Sequence, residues 1–127
     1  MVTRLVVTVL LAAGVGYDRE VRGKAAGIRT HVLIALGAAA FTLASIYGFA
    51  QSDVARVASG VVAGVGFLGA GVIFRGGQGN AVAGLTTAAS IWVTAGIGLA
   101  VGCGLYVLAI AVTVLAIVVL RLPHIRP

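Results

Sequence analysis

Five ionisable side chains crowd into seven consecutive positions: Asp18, Arg19, Glu20, Arg22 and Lys24. They include two of the three acids in the chain. If a helix runs through them, Asp18 and Arg22 stand four apart on one face and can pair. The cluster then reads in two ways. It is either a solvated cap beside a membrane, where Lys and Arg only signal topology, or a carboxylate drawn below the headgroups. A carboxylate at that depth must pair with an arginine or bind a cation. Arg29, Thr30 and His31, a few positions on, can complete such a network. A second set carries hydroxyls: Thr86, Ser90 and Thr94 recur every four residues with Thr87 alongside. They either bond back to their own helix and across to neighbours or line a polar path toward Arg75.

The stretch Gly64-Val65-Gly66-Phe67-Leu68-Gly69 has the spacing of a dinucleotide loop. That chemistry requires a strand before the loop and an acid roughly 20 positions after it. No Asp or Glu follows Asp53, so a nucleotide is excluded. The glycines fit a second use. Gly60, Gly64, Gly66, Gly69 and Gly71, echoed by Gly84, strip side chain from a helix and let backbones approach. Trp92 is either an interface anchor or a packing residue. No nucleophile-base-acid set is visible, one cysteine (Cys103) excludes an intrachain disulfide and a multi-cysteine metal site, and His31 and His124 lie far apart. We expect no catalysis and no cofactor, and a metal site is left open.

These residues need elements to hold them, and composition says which. Of the 127 residues, 61% are hydrophobic and 9% charged, and the mean hydropathy is +1.16. A water-soluble fold would lack polar residues for its surface, so the chain is an all-α membrane protein whose main contact is the lipid bilayer. The net charge of +6 does not indicate nucleic acid, because the basic residues edge the apolar runs. Apolar runs place five transmembrane helices at about 2–17, 32–50, 57–74, 82–101 and 104–120 in a single domain. The glycine content predicts close packing of the third and fourth in a compact, oligomeric bundle. Residues Gln51, Ser52 and Asp53 have helix-cap character, and Gly76 to Asn80 reads as a loop. The first run is short, so either Arg4 snorkels at one end or Asp18, Arg19 and Glu20 are drawn in at the other. It is read as a retained helix rather than a cleaved signal, because charged residues and further spans follow.

Five spans put the termini on opposite sides. One side holds Arg19, Arg22, Lys24, Arg29, Arg75, Arg121 and Arg126; the other holds Arg4 and Arg56. The positive-inside rule therefore places the first and third loops and the C-terminus in the cytoplasm and the N-terminus outside.

Four blocks of sequence resemble the MgtC/SapB family of bacterial inner-membrane proteins: Asp18-Arg19-Glu20, the stretch Arg22 to Thr30, Gly64 to Arg75, and Gly84 to Ala95. The resemblance implies a five-helix membrane domain linked to adaptation to scarce magnesium and, in intracellular pathogens, to virulence. It also implies a regulator acting on the F-type ATP synthase, with effects on ATP and phosphate homeostasis. Many relatives carry a C-terminal domain resembling an ACT domain; here none is expected beyond Pro127. The first functional expectation is thus a partner-binding regulator that forms homo-oligomers. The alternative is a small oligomeric transporter or channel for Mg2+ or an anion. Three acids against nine basic residues are a poor lining for Mg2+, whereas Arg29 and Arg75 suit an anion.

Overall fold

Lipid offers no water to an unpaired peptide group, so apolar segments of this length fold as helices. The computed structural model describes residues 1–49, 53–75 and 81–123, except the side chains of 75 and 81–83. All described elements are α-helices: α1 Val2–Val21, α2 Ile28–Gly48, α3 Val54–Arg75, α4 Ala81–Gly102 and α5 Tyr106–Leu120. Three of them, across Ile28–Gly48, Val54–Phe74 and Gly84–Gly102, are long and apolar enough to cross a membrane, and α5 is a shorter apolar helix. Gln51, Ser52, residues 76–80, expected from the sequence to form a loop, and the segment with His124 lie outside the described residues.

The helices outrun the hydropathy limits where charges begin. α1 continues a full turn past Tyr17, carrying Asp18, Arg19 and Glu20, and α2 starts four residues before Val32, taking Arg29, Thr30 and His31 into its first turn. The main chain keeps its i→i−4 bonds whether or not the side chains are apolar. Asp53 caps α3 as its residue type predicts, with the Ala55 amide donating to Oδ1 at 3.0 Å.

Two turns close on glycine. After α1, the amides of Gly23 and Lys24 donate to the carbonyls of Glu20 and Arg19, both at 3.0 Å. After α4, those of Gly104 and Leu105 donate to Val101 and Ala100, both at 2.9 Å. Gly23 (φ 67°) and Gly104 (φ 80°) take the left-handed conformation this double bond pattern requires. The α4–α5 turn is therefore only three residues long, 103–105.

α4 is the centre: it alone packs against all four other helices, while α3 touches only α2 and α4. Half of the α4 span is buried, against 11% for α3. The closest backbone approach is between α4 and α2, where Gly98 lies on the Ala35 carbonyl with no room for a Cβ. Gly102 sits likewise on Thr42, and Gly16 on the backbone of Ile28, 2.6 Å from the position of a Cβ. The glycines expected to bring α3 onto α4 divide. Gly69 meets Ala88 and Gly84 meets Ile73, but no atom of a neighbouring element comes within 4 Å of a Cβ position at Gly60, Gly64, Gly66 or Gly71. Those four are exposed, because α3 forms the edge of the bundle. Trp92 is mid-helix on α4 and 54% exposed, far from either helix end where an interface anchor would sit.

Candidate functional site

The end of the bundle where α1 stops and α2 starts gathers most of the polar side chains. Consecutive helix residues point about 100° apart, so Asp18 and Arg19 address different neighbours. Asp18, 5% exposed, faces the end of α5, where Arg121 Nε donates to Oδ1 at 3.0 Å. Arg22, one turn on, pairs with Oδ2 at 3.6 Å. Arg19, 2% exposed, turns inward to α4 and donates from Nη2 to Thr87 Oγ1 at 3.0 Å. Its Nε has no hydrogen-bond partner, and neither has Asp18 Oδ2. A buried guanidinium in an apolar bundle is costly, and the adjacent carboxylate is the compensating charge.

His31 is fully buried between α2 and α4. Its Nδ1 lies 2.9 Å from the Gly27 carbonyl, which can only accept, so Nδ1 carries the proton. Nε2 faces Ser90 Oγ at 3.0 Å, and the same hydroxyl is 2.7 Å from the Thr87 carbonyl. In the neutral ring Nε2 is an acceptor, so the single Ser90 proton has two takers. Thr87 thus joins the two halves of the network, receiving Arg19 on its hydroxyl and Ser90 on its carbonyl.

Of the hydroxyl face on α4, Thr87, Ser90 and Thr94 are buried and Thr86 is half-buried. Thr94 donates back to the Ser90 carbonyl at 2.7 Å. Glu20 is exposed and lies against Gly27, whose Cβ, if present, would come within 2.8 Å of Oε1. Arg29 and Thr30 are exposed on the first turn of α2. Arg75 ends α3, and its side chain is outside the described residues. The structure therefore unites Asp18, Arg19, Arg22, Thr87 and Ser90, and leaves Glu20, Arg29 and Thr30 at the rim. Among the described residues no group of three His, Cys, Asp or Glu side chains could hold a metal ion.

Arg121 carries more of the site than its sequence context signals. In the sequence it is one arginine after an apolar run, and only the topology, which returns α5 to the end where α1 stops, puts it beside Asp18. Arg4 is a similar case at the opposite end. Its Nη1 donates to the Gly102 carbonyl at 2.8 Å and its guanidinium lies 5.9 Å from the Tyr47 ring centroid. A cation there complements the C-terminal dipole of α4.

A family model described as MgtC family matches residues 5–125. The chain belongs to the MgtC family. Among curated relatives it is 45% identical to "Putative magnesium transporter YhiD" of Escherichia coli, over 97% of this chain and 60% of that protein. It is 44% identical to "Protein MgtC" of Salmonella typhimurium, over 90% of this chain and 48% of the relative. For "Protein MgtC" of Brucella abortus the identity is also 44%, with coverage of 87% and 45%. The chain thus spans about half to three fifths of the length of these MgtC-family relatives. No solved structure matches it. Apolar helices together with MgtC membership mark a membrane protein, and the Escherichia coli relative is named as a putative magnesium transporter.

Proposed function

We propose that this MgtC-family chain is a non-catalytic regulator of the bacterial inner membrane, serving adaptation to low magnesium by contacting another membrane protein. The F-type ATP synthase is the partner we expect, with ion or phosphate homeostasis as the process affected and virulence as a consequence in a pathogen. One observation carries this reading: the buried carboxylate of Asp18 is occupied by Arg121 and Arg22. A carboxylate held by two guanidiniums serves helix association rather than cation passage. The deeper α4 hydroxyl, Thr94, is likewise committed to its own backbone. The basic end of the bundle faces the cytoplasm in this reading, and the protein works as a homo-oligomer.

The alternative, a small oligomeric transporter for Mg2+ or an anion, is favoured by the name of the Escherichia coli relative and by the unpartnered Nε of Arg19. Reconstitution separates the two. Purified protein in liposomes is expected to pass neither Mg2+ nor phosphate above empty vesicles, while co-purifying with ATP synthase from native membranes. Flux by the wild type that is lost in an Asp18→Asn/Glu20→Gln variant would establish the transporter and reject the regulator.

A further inference from the structure

A groove of about 700 Å3 runs between α2 and α3. Its floor is bare. Gly37 on α2 and Gly60 and Gly64 on α3 line it, and none has a neighbouring atom within 4 Å of its Cβ position. Its walls are apolar, with Leu33, Phe41 and Leu68 exposed to 66%, 64% and 51%. Helical spacing carries the α2 wall from Ile34 and Leu33 back to Thr30, with Arg29 beside it, at the first turn of the helix. Both residues are exposed, and among the described residues Arg29 enters no ion pair. The first turn of α2 also has no side-chain cap, so its amides add positive potential to that of Arg29. Among the described residues, the acid beside this turn is Glu20, which leans on Gly27 from α1. The groove is thus apolar along its length and cationic at one mouth.

We propose that this groove holds one anionic phospholipid, an acyl chain lying on the bare glycines and its phosphate at Arg29 and Thr30. A flexible chain fills a shallow glycine floor that rigid neighbours leave open, and recovers dispersion contacts otherwise lost there. The charge pattern argues against a second copy as occupant. Copies in one bilayer share their orientation, so another chain would bring its own basic end, with Arg22, Lys24 and Arg29, beside this mouth. Of the two acids at that end, Asp18 is already held by Arg22 and Arg121. An anionic headgroup supplies negative charge alone, whereas a parallel copy brings one exposed acid, Glu20, with three exposed cations, and a zwitterionic lipid brings no net charge. The site is independent of whether the protein regulates or transports.

Native mass spectrometry of the full chain in non-ionic detergent tests this with phosphatidylglycerol and phosphatidylcholine of identical acyl chains. The wild type is expected to retain the anionic lipid about fivefold better, the value of one cationic side chain at a membrane surface. Arg29→Gln erases the preference and Arg29→Lys keeps it. Gly64→Leu fills the groove and loses both lipids while the protein stays helical and monodisperse; Gly37→Leu fills it from the opposite wall should the first variant fail to fold. Equal retention of the two lipids by the wild type, an intact preference in Arg29→Gln, or undiminished lipid in a folded groove-filling variant overturns the proposal. So does efficient disulfide cross-linking of a Gly64→Cys variant in a Cys103→Ser background within membranes, which would seat a second copy there.

Discussion

At the scale of single residues, the polar network obeys an asymmetry that mutation can expose. Asp18 is the acid on which the buried charge of Arg19 depends, yet Arg19 itself has one unsatisfied nitrogen. Removing the acid leaves a buried cation uncompensated, whereas replacing the cation with an apolar chain of similar length relieves a desolvation penalty. We therefore expect Asp18→Leu to destabilise the protein by about 2 to 3 kcal/mol, less than a fully buried pair because Arg22 and Arg121 reach water. Arg19→Met should leave the melting temperature in detergent unchanged or raised. A clear loss of stability in Arg19→Met would show that its bond to Thr87 outweighs the cost of burial. The hydroxyls separate in the same way. Ser90→Ala removes the hydroxyl shared by His31 Nε2 and the Thr87 carbonyl and is expected to cost about 1 to 3 kcal/mol. Thr94→Val loses only a bond back to its own helix and should cost well under about 1 kcal/mol. Equal thermal shifts for the two would contradict the geometry. The spacing of Thr86, Ser90 and Thr94 makes a hydroxyl face legible in the sequence. It does not say which member crosses to another helix, because that depends on His31 arriving from α2.

At the scale of helices, small residues are informative only once their neighbours are known. The GxxxG at Gly60 and Gly64 lies in the most glycine-rich span, yet among the described residues no atom comes within 4 Å of a Cβ position at either glycine. The tight crossing falls instead on a second GxxxG, Gly98 and Gly102 of α4, packed on Ala35 and Thr42 of α2. In lipid, helices associate through such close packing and interhelical hydrogen bonds rather than through hydrophobic burial. Forcing α2 and α4 apart therefore also breaks the bond from His31 to Ser90. Gly98→Leu is expected to abolish folded, monodisperse protein in gel filtration, whereas Gly64→Leu should leave the profile unchanged. The opposite result would mean that the α3 edge, not the α2–α4 crossing, governs assembly. Helix ends are also poorly marked in the sequence. Hydropathy stops at Tyr17 and begins again at Val32, but the backbone bonds run on through the charged residues. That extension is what places Asp18, Arg19 and His31 on rigid helix rather than in a loop.

At the scale of the whole molecule, the basic residues sort by end of the bundle. Arg19, Arg22, Lys24, Arg29 and Arg121 lie where α1 and α5 stop and α2 starts, while Arg4 sits at the far end against the last turn of α4. This sorting is legible in the amino-acid sequence, since five helices alternate direction and a charge tally follows from counting. What counting cannot reveal is that three of those charges also serve the network: Arg19 is buried against Thr87, and Arg22 and Arg121 hold Asp18. Discounting these three, Lys24, Arg29 and Arg75 still outnumber Arg4 and Arg56 at the opposite end, which keeps the positive-inside rule in favour of the proposed cytoplasmic placement of the α1–α2 turn. Cys103 offers a direct check, being the one cysteine, half-buried in the α4–α5 turn at the opposite end. A membrane-impermeant maleimide added to spheroplasts should label the wild type from outside. A Lys24→Cys variant in a Cys103→Ser background should react only after the membrane is opened. Reversed labelling would invert the molecule, place the acid-arginine network at the outer face, and remove the geometric basis for contact with a cytoplasmic-side partner such as the catalytic sector of an ATP synthase.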